Sequence, residues 1–479
     1  MTGDASSYRR ILWATSVIGG ATLAALLIGL ARNKAVALIG GPAAIGLFGL
    51  FTTIISMGAS VAALGLDTSA VRQLAQRRDD TAEVERTQRA VWTMAWPLAI
   101  TGAAAVFLFR RPIAAFAAGS SVYADTVGWL SIGVAASVVA AAQLAILQGH
   151  GRIGDLARVR LWGSLVATIA AIYAVYRFGT LGIAIAGISI PLVTAVVGFW
   201  YGRALPRSNW RQLADGSLAG QWRALATIGI VVMSTNALVT LNDLSVRAVV
   251  SNRLGLEPLG LFVASSAIVW VNLSLVLNAM AADYYPRLSS VAHDARAMST
   301  ILNQQLHVAL GLAAPALIAV SAGAPVVLAI LYSPAFAESA FVLRLLVAAG
   351  VLRLGTWALG FALLARRASG SYMLAEIAAA AAIPLAWFLL PRTGLWGVGL
   401  ALILSAAASF GVYLWRTNRG HGIVMDRQNL VMIAALVAFL SALAVITEAH
   451  ATAGMVIGAV AALALGWRAF RQFGSAIRG

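Results

Sequence analysis

What most constrains this chain is a recurrence of long uncharged runs, closed by arginines or glycine-proline turns, from one end of the sequence to the other. Residues 11–31 carry no charge, nor do residues 35–66, and between them stand Arg32, Asn33 and Lys34. A helix rises about 1.5 Å per residue, so about 20 apolar residues cross the roughly 30 Å hydrocarbon core of a bilayer. A chain that is 61% hydrophobic and 11% charged, with a mean hydropathy of +0.86, has more apolar surface than a water-soluble core can hide. Strands of a barrel would alternate in polarity, and these runs do not. The expected class is therefore an all-α polytopic membrane protein. Arg9 and Arg10 give the first run the flank of a secretory signal, but it is too long for one and reads as a retained first helix.

Charged clusters, Gly/Pro turns and run length divide the 479 residues into fourteen transmembrane helices, starting near 11, 43, 90, 126, 158, 181, 223, 257, 301, 337, 372, 394, 428 and 451. Both termini then lie on one side. Of the 34 basic residues, 24 fall with the termini and the loops on their side, 8 in the opposite loops, and Arg344 and Arg353 within a span. That asymmetry predicts cytoplasmic termini. The net charge of +17 reads mainly as this orientation signal and as attraction to membrane lipid, and no nucleic-acid partner is expected. With no cysteine, disulfides and thiolate metal sites are excluded, and the five histidines lack ligand spacing. Neither a metal nor a cofactor is expected.

A shift of 213 residues brings landmarks into register: Arg10 on Arg223, Lys34-Ala35-Val36 on Arg247-Ala248-Val249, Pro112 on Pro325, Tyr123-Ala124-Asp125 on Phe336-Ala337-Glu338, and Gly198 and Arg203 on Gly411 and Arg416. One offset holding from the first helix to the sixth predicts two pseudo-symmetric six-helix bundles, residues 1–217 and 218–420, followed by an additional helix pair over 421–479. An even number of spans in each half gives the copies one orientation, with an axis along the membrane normal and a cleft between them. The short loops hold no Walker loop and no nucleophile elbow, so no enzymatic activity is expected.

The stretch "YRRILWATSVIGGATLAALLIGLARNKAVALIGGPAAIGLFGLF", then "ALGLDTSAVRQLAQ", together with "DYYPRLSS" at 283–290, resembles the O-antigen translocases. These are polysaccharide flippases of the multidrug/oligosaccharidyl-lipid/polysaccharide (MOP) exporter superfamily. The resemblance covers essentially the whole chain. It implies a bacterial inner-membrane protein that moves an undecaprenyl-pyrophosphate-linked oligosaccharide from the cytoplasmic to the periplasmic leaflet by alternating access. It also implies a polysaccharide polymerase and a chain-length regulator as further partners. "GLARNKAVALIGGP" is similar to the first-helix motif of the lipid II flippases, in which the arginine lines the central cavity, and on that match Arg32 takes a cavity role. The acidic residue that follows in those flippases is Asn33 here, a departure that removes the basis for carrying over an ion-pair role.

A pyrophosphate crossing a low-dielectric interior calls for fixed positive charge, and arginine offers its oxygens a planar fork. Substrate-binding candidates are Arg32, Lys34, Arg72, Arg247 and Arg353. Arg32 and Lys34 have two readings: interfacial anchors at the end of a straight helix, or cleft residues turned inward because Gly29 and Gly40-Gly41-Pro42 bend or break the helix. Two residues apart, they diverge by about 200°, so one at most faces the cleft fully. Arg247, the repeat partner of Lys34, shares both readings. Asp243 lies one helical turn from Arg247, and the pair reads either as mutual neutralisation or as a coupling site with Asp243 exchanging a proton or cation. Asp67 is a second ion-coupling candidate, or else an interfacial cap, and Arg72 is a mouth-lining or positive-inside residue. Arg353 lies deeper in its span than Arg344, which is expected to pair elsewhere. The 14 tryptophans read mainly as interface anchors. The competing functions are a lipid II or multidrug exporter of the same fold, or a lipid-carrier-dependent glycosyltransferase or ligase. An exporter of cationic drugs is disfavoured by the basic candidates, the glycosyltransferase or ligase by the short loops.

Overall fold

The computed structural model describes the backbone of residues 3–76, 80–203 and 217–478, and most of their side chains. Two helices are more than twice as long as one crossing needs. α1 (Gly3–Ala62) holds 60 residues and α6 (Ile153–Gly202) holds 50, and each is divided by one glycine: Gly41 at φ 67° and Gly179 at φ 54°. A left-handed residue interrupts a right-handed helix, and glycine occupies that region without a Cβ penalty. Pro42 follows the first break and lacks the N–H that would continue the ladder. Of the interruptions expected at Gly29 and at Gly40-Gly41-Pro42 only the second forms, at Gly41; Gly29 stays helical.

Next in order come α2 (Leu66–Gln76), α3 (Thr81–Leu108), α4 (Arg110–Ala118) and α5 (Ala124–Gly149) before α6, then α7 (Ser217–Leu254) and α8 (Leu256–Ser290) after it. α9 (Ala295–Ala322), α10 (Ala324–Leu331), α11 (Ala340–Ala365), α12 (Ser369–Ala379), α13 (Ala382–Thr393), α14 (Trp396–His421), α15 (Arg427–Ala449) and α16 (Ala451–Arg478) complete the chain. Among the described residues, eleven helices are long and apolar enough to cross a membrane, the divided α1 and α6 counting once each. Taken as two crossings each, those give thirteen. A crossing by the 38-residue α7 is what fourteen requires, and it belongs to the proposals below.

The repeat is visible in the order of elements. A long helix, a short helix, a 3-10 turn and a second long helix follow one another as α3, α4, Ser121–Tyr123 and α5, and again as α9, α10, Pro334–Ser339 and α11. The breaks recur too: Gly41 has its counterpart in Gly255 (φ 96°), and Gly179 in Gly394 (φ 61°). By its internal packing the chain forms two compact units, Met1–Leu244 and Ser245–Gly479, so the division falls inside α7. The first half of α7 is fastened to α3. There Gln221 Nε2 donates to Glu83 Oε1 at 3.4 Å and Trp222 Nε1 to Thr93 Oγ1 at 3.1 Å.

In the first unit α5 is the central helix, buried over most of its length and packed on α1, α3 and α6. In the second unit α11 has that place, packed on α8, α9, α14 and α15. The added pair rests on this bundle: α15 lies against α9 and α11, and α16 against α9. One end of α15 is pinned by Asn429 Nδ2, which donates to the carbonyl and side-chain oxygens of Asn303, each at 3.0 Å. The other end is pinned by Glu448, 3.7 Å from the guanidinium of Arg344.

Candidate functional site

Arg32 sits nine residues before the break at Gly41, on a continuous helix, and the segment beyond the break brings Phe48 to it. The guanidinium carbon lies 5.3 Å from the centre of the Phe48 ring. Arg32 is half buried, its Nε has no hydrogen-bond partner, and the buried Oδ1 of its neighbour Asn33 also has none. Lys34 is exposed. A buried guanidinium edge costs free energy unless something accepts from it, so the place is chemically poised for an anionic or strongly accepting group. Phe48 holds the cation in place by cation-π attraction while leaving its N–H fork available.

The other candidates are distributed over both units. Asp67 and Arg72 are exposed on α2, a short helix that buries Leu66, Ala70 and Leu74, and Thr68 Oγ1 lies 3.5 Å from Asp67 Oδ1. Asp243 and Arg247 are half buried one turn apart on α7, on either side of the division between the units. Arg353 is half buried on α11, its guanidinium carbon 5.4 Å from the centre of the Trp270 ring. Arg344 does pair elsewhere: it is 3% exposed, donates from Nε to the Ser321 carbonyl at 3.2 Å, and faces Glu448.

Two features went unnoticed in the sequence. In the second unit, the Tyr413 hydroxyl donates to Glu376 Oε1 at 2.8 Å, and Arg416 donates from Nε and Nη2 to Ser371 Oγ at 3.1 and 2.9 Å. These bonds tie α14 to α12 and hold a carboxylate inside a span. The signal was present, since Glu376 is the sole charge between Arg367 and Arg392. In the first unit a crevice of about 370 Å³ opens between α3 and α7, lined by Thr93, Met94, Pro97, Leu98, Trp222, Arg223 and Ala226. Its walls are almost wholly apolar, with one cation, a lining suited to a lipid chain.

A helical chain that crosses the membrane many times, in two halves of matching element order and with guanidinium groups inside its spans, has the build of a membrane transporter. Residues 36–341 match the family described as polysaccharide biosynthesis protein, and the chain belongs to that family. Among curated proteins it is similar to the lipid III flippases of Escherichia coli (strain K12) and Shigella flexneri, each 22% identical over 406 residues, covering 82% of this chain and 96% of the relative. Among solved structures, the lipid II flippase MurJ in an inward closed conformation superposes with a TM-score of 0.70 at 14% identity, covering 95% of this chain and 98% of that one. A multidrug resistance MATE family transporter of the MOP superfamily, inward-facing, also reaches 0.70 at 16% identity, covering 86% and 95%. The likeness establishes the MOP fold expected from the loop motifs. The relatives are named as flippases and transporters, in keeping with a chain that does no covalent chemistry.

Proposed function

We propose that this protein is an alternating-access flippase that carries a polyisoprenoid-pyrophosphate-linked glycan, an O-antigen or exopolysaccharide repeat unit, from the cytoplasmic to the periplasmic leaflet of a bacterial inner membrane. The observation that carries this reading is Arg32, whose buried Nε has no hydrogen-bond partner within a spanning helix of a polysaccharide biosynthesis family member. A half-buried guanidinium with free donors suits phosphate oxygens, which accept bidentately. Arg353, Arg247, Arg72 and Lys34 add positive charge along the route, and Asp67 and Asp243 are the coupling candidates. In this reading α7 is the fourteenth crossing, both termini are cytoplasmic, the domains are the two bundles and the added pair, and a polymerase and a chain-length regulator receive the product.

The runner-up is export of lipid II or of cationic drugs on the same fold. The basic preponderance among the candidates weighs against a cationic drug, which would be repelled along most of the route, whereas lipid II, itself a pyrophosphate, is separated by the transport test. The test is reconstitution: purified protein in proteoliposomes, with a fluorescent polyisoprenyl-pyrophosphate oligosaccharide whose leaflet is read by an external quencher. Protein-dependent equilibration of this lipid, and none of a cationic dye, is the expected result. Movement of the dye or of lipid II alone would transfer the assignment to the runner-up.

A further inference from the structure

Arg353 does not stand alone. It begins a row on α11 that continues at Trp357 and Phe361, one turn apart each time and spanning about 12 Å along the helix axis. α8 supplies the matching rings. Trp270 lies under the Arg353 guanidinium, Tyr284 stacks on Trp357 with ring centres 5.4 Å apart, and Tyr285 meets Phe361 edge-on at 5.6 Å. Trp357 and Phe361 are themselves edge-to-face at 4.9 Å. Tyr284 is wholly buried and its hydroxyl donates to the Ala358 carbonyl at 2.9 Å, so it braces the row. Trp270 at 49% and Tyr285 at 41% keep open surface.

Where that surface looks follows from the cation. Arg353 is only half buried, midway along a spanning helix, and a guanidinium there cannot open onto hydrocarbon. Charged groups within a span face the bundle interior or a water-filled cavity, and Trp270 lies directly beneath this one. Tryptophans that anchor a span sit at its ends, whereas Trp357 falls well inside α11. A row of aromatic faces and edges beginning at a guanidinium complements a molecule with alternating C–H faces and hydroxyls and an acidic group, the chemistry of an oligosaccharide with an acidic sugar or a phosphate.

We infer that this row is a glycan subsite, with sugar rings stacking on Trp270 and Tyr285 and Arg353 taking an anionic substituent. It rests on the flippase reading and names the part of the substrate that the second unit holds. It also gives "DYYPRLSS" a task, since Tyr284 braces the row and Tyr285 closes it, while Asp283 and Arg287 pair at 3.0 Å on the exposed flank.

The experiment uses the full chain in proteoliposomes and two probes, the polyisoprenyl pyrophosphate bearing one sugar and the same carrier bearing an acidic oligosaccharide. Trp270→Ala and Tyr285→Ala remove partly exposed rings, and Trp129→Ala, 56% exposed in the first unit, is the control. The expected result is a roughly fivefold to tenfold slower movement of the oligosaccharide probe by both variants, with the one-sugar probe and the control unaffected. Trp270→Phe should restore most of the rate. Equal slowing of both probes, or of neither, overturns the subsite. A wild-type protein that moves neither probe overturns the flippase reading instead, and the subsite with it.

Discussion

Arg344 tests what holds the C-terminal helix pair to its bundle. Its side chain is 3% exposed; Nε donates to the Ser321 carbonyl at 3.2 Å, and Nη1 lies 3.7 Å from the Glu448 carboxylate. Ser321 is in the last turn of α9, where carbonyls have no partner within the helix and the dipole is negative. Arg344, from α11, therefore caps α9 while reaching α15. Glu448→Ala would leave a buried guanidinium with one neutral acceptor. Breaking a fully buried pair costs about 3–5 kcal/mol. Glu448 is 47% exposed and the contact is longer than a hydrogen bond, so water and geometry reduce the expected loss to about 1–3 kcal/mol. Thermal unfolding of the purified protein in one detergent reads it, with the exposed Glu338→Ala as reference. In an Arg344→Met background, Glu448→Ala should cost little, because no buried charge is left uncompensated. If the two losses simply add, the residues are not coupled and Glu448 does not hold α15 through Arg344.

Gly65 has φ 66°, and a Cβ on it would meet the Gly229 carbonyl oxygen of α7. Gly65→Ala should cost about 1–2 kcal/mol from the left-handed backbone alone and slow transport by displacing α7, whereas Gly220→Ala, with open space around it, should be neutral in both assays. Because the chain has no cysteine, single cysteines report sidedness without background. An impermeant maleimide applied to intact cells should label exposed Ser121→Cys and leave exposed Thr81→Cys unlabelled until lysis; the reverse pattern would invert the orientation.

The crossings were legible because a long uncharged run has one cheap solution in a bilayer. Both interruptions within α1 and α6 are at glycines, and the element order repeats as the register of Lys34 with Arg247 and Pro112 with Pro325 had indicated. The short elements were harder. α2 has no place among the fourteen expected spans, although Leu66, Ala70 and Leu74 have the spacing of one buried face. At the candidate site, helix geometry set Arg32 and Lys34 on different faces, but that Arg32 is the more buried of the two emerges only with Phe48 brought against it from beyond the break. Trp270 looked like any other tryptophan until Arg353 lay over it, and Glu376 and Tyr413, 37 positions apart, meet only once α12 and α14 pack. One sequence fixes the face of a helix poorly when nearly every face is apolar.

The role of Arg32 is tested most directly by leaflet equilibration of the polyisoprenyl-pyrophosphate oligosaccharide by Arg32→Ala and Arg32→Lys, normalised to folded protein. Losing a charge-assisted phosphate contact of about 1.5–3 kcal/mol should slow Arg32→Ala roughly tenfold to a hundredfold. Arg32→Lys should recover only part of the rate, since a point charge replaces the planar fork. Wild-type rates for both variants would contradict the claim and make Arg32 an interfacial anchor.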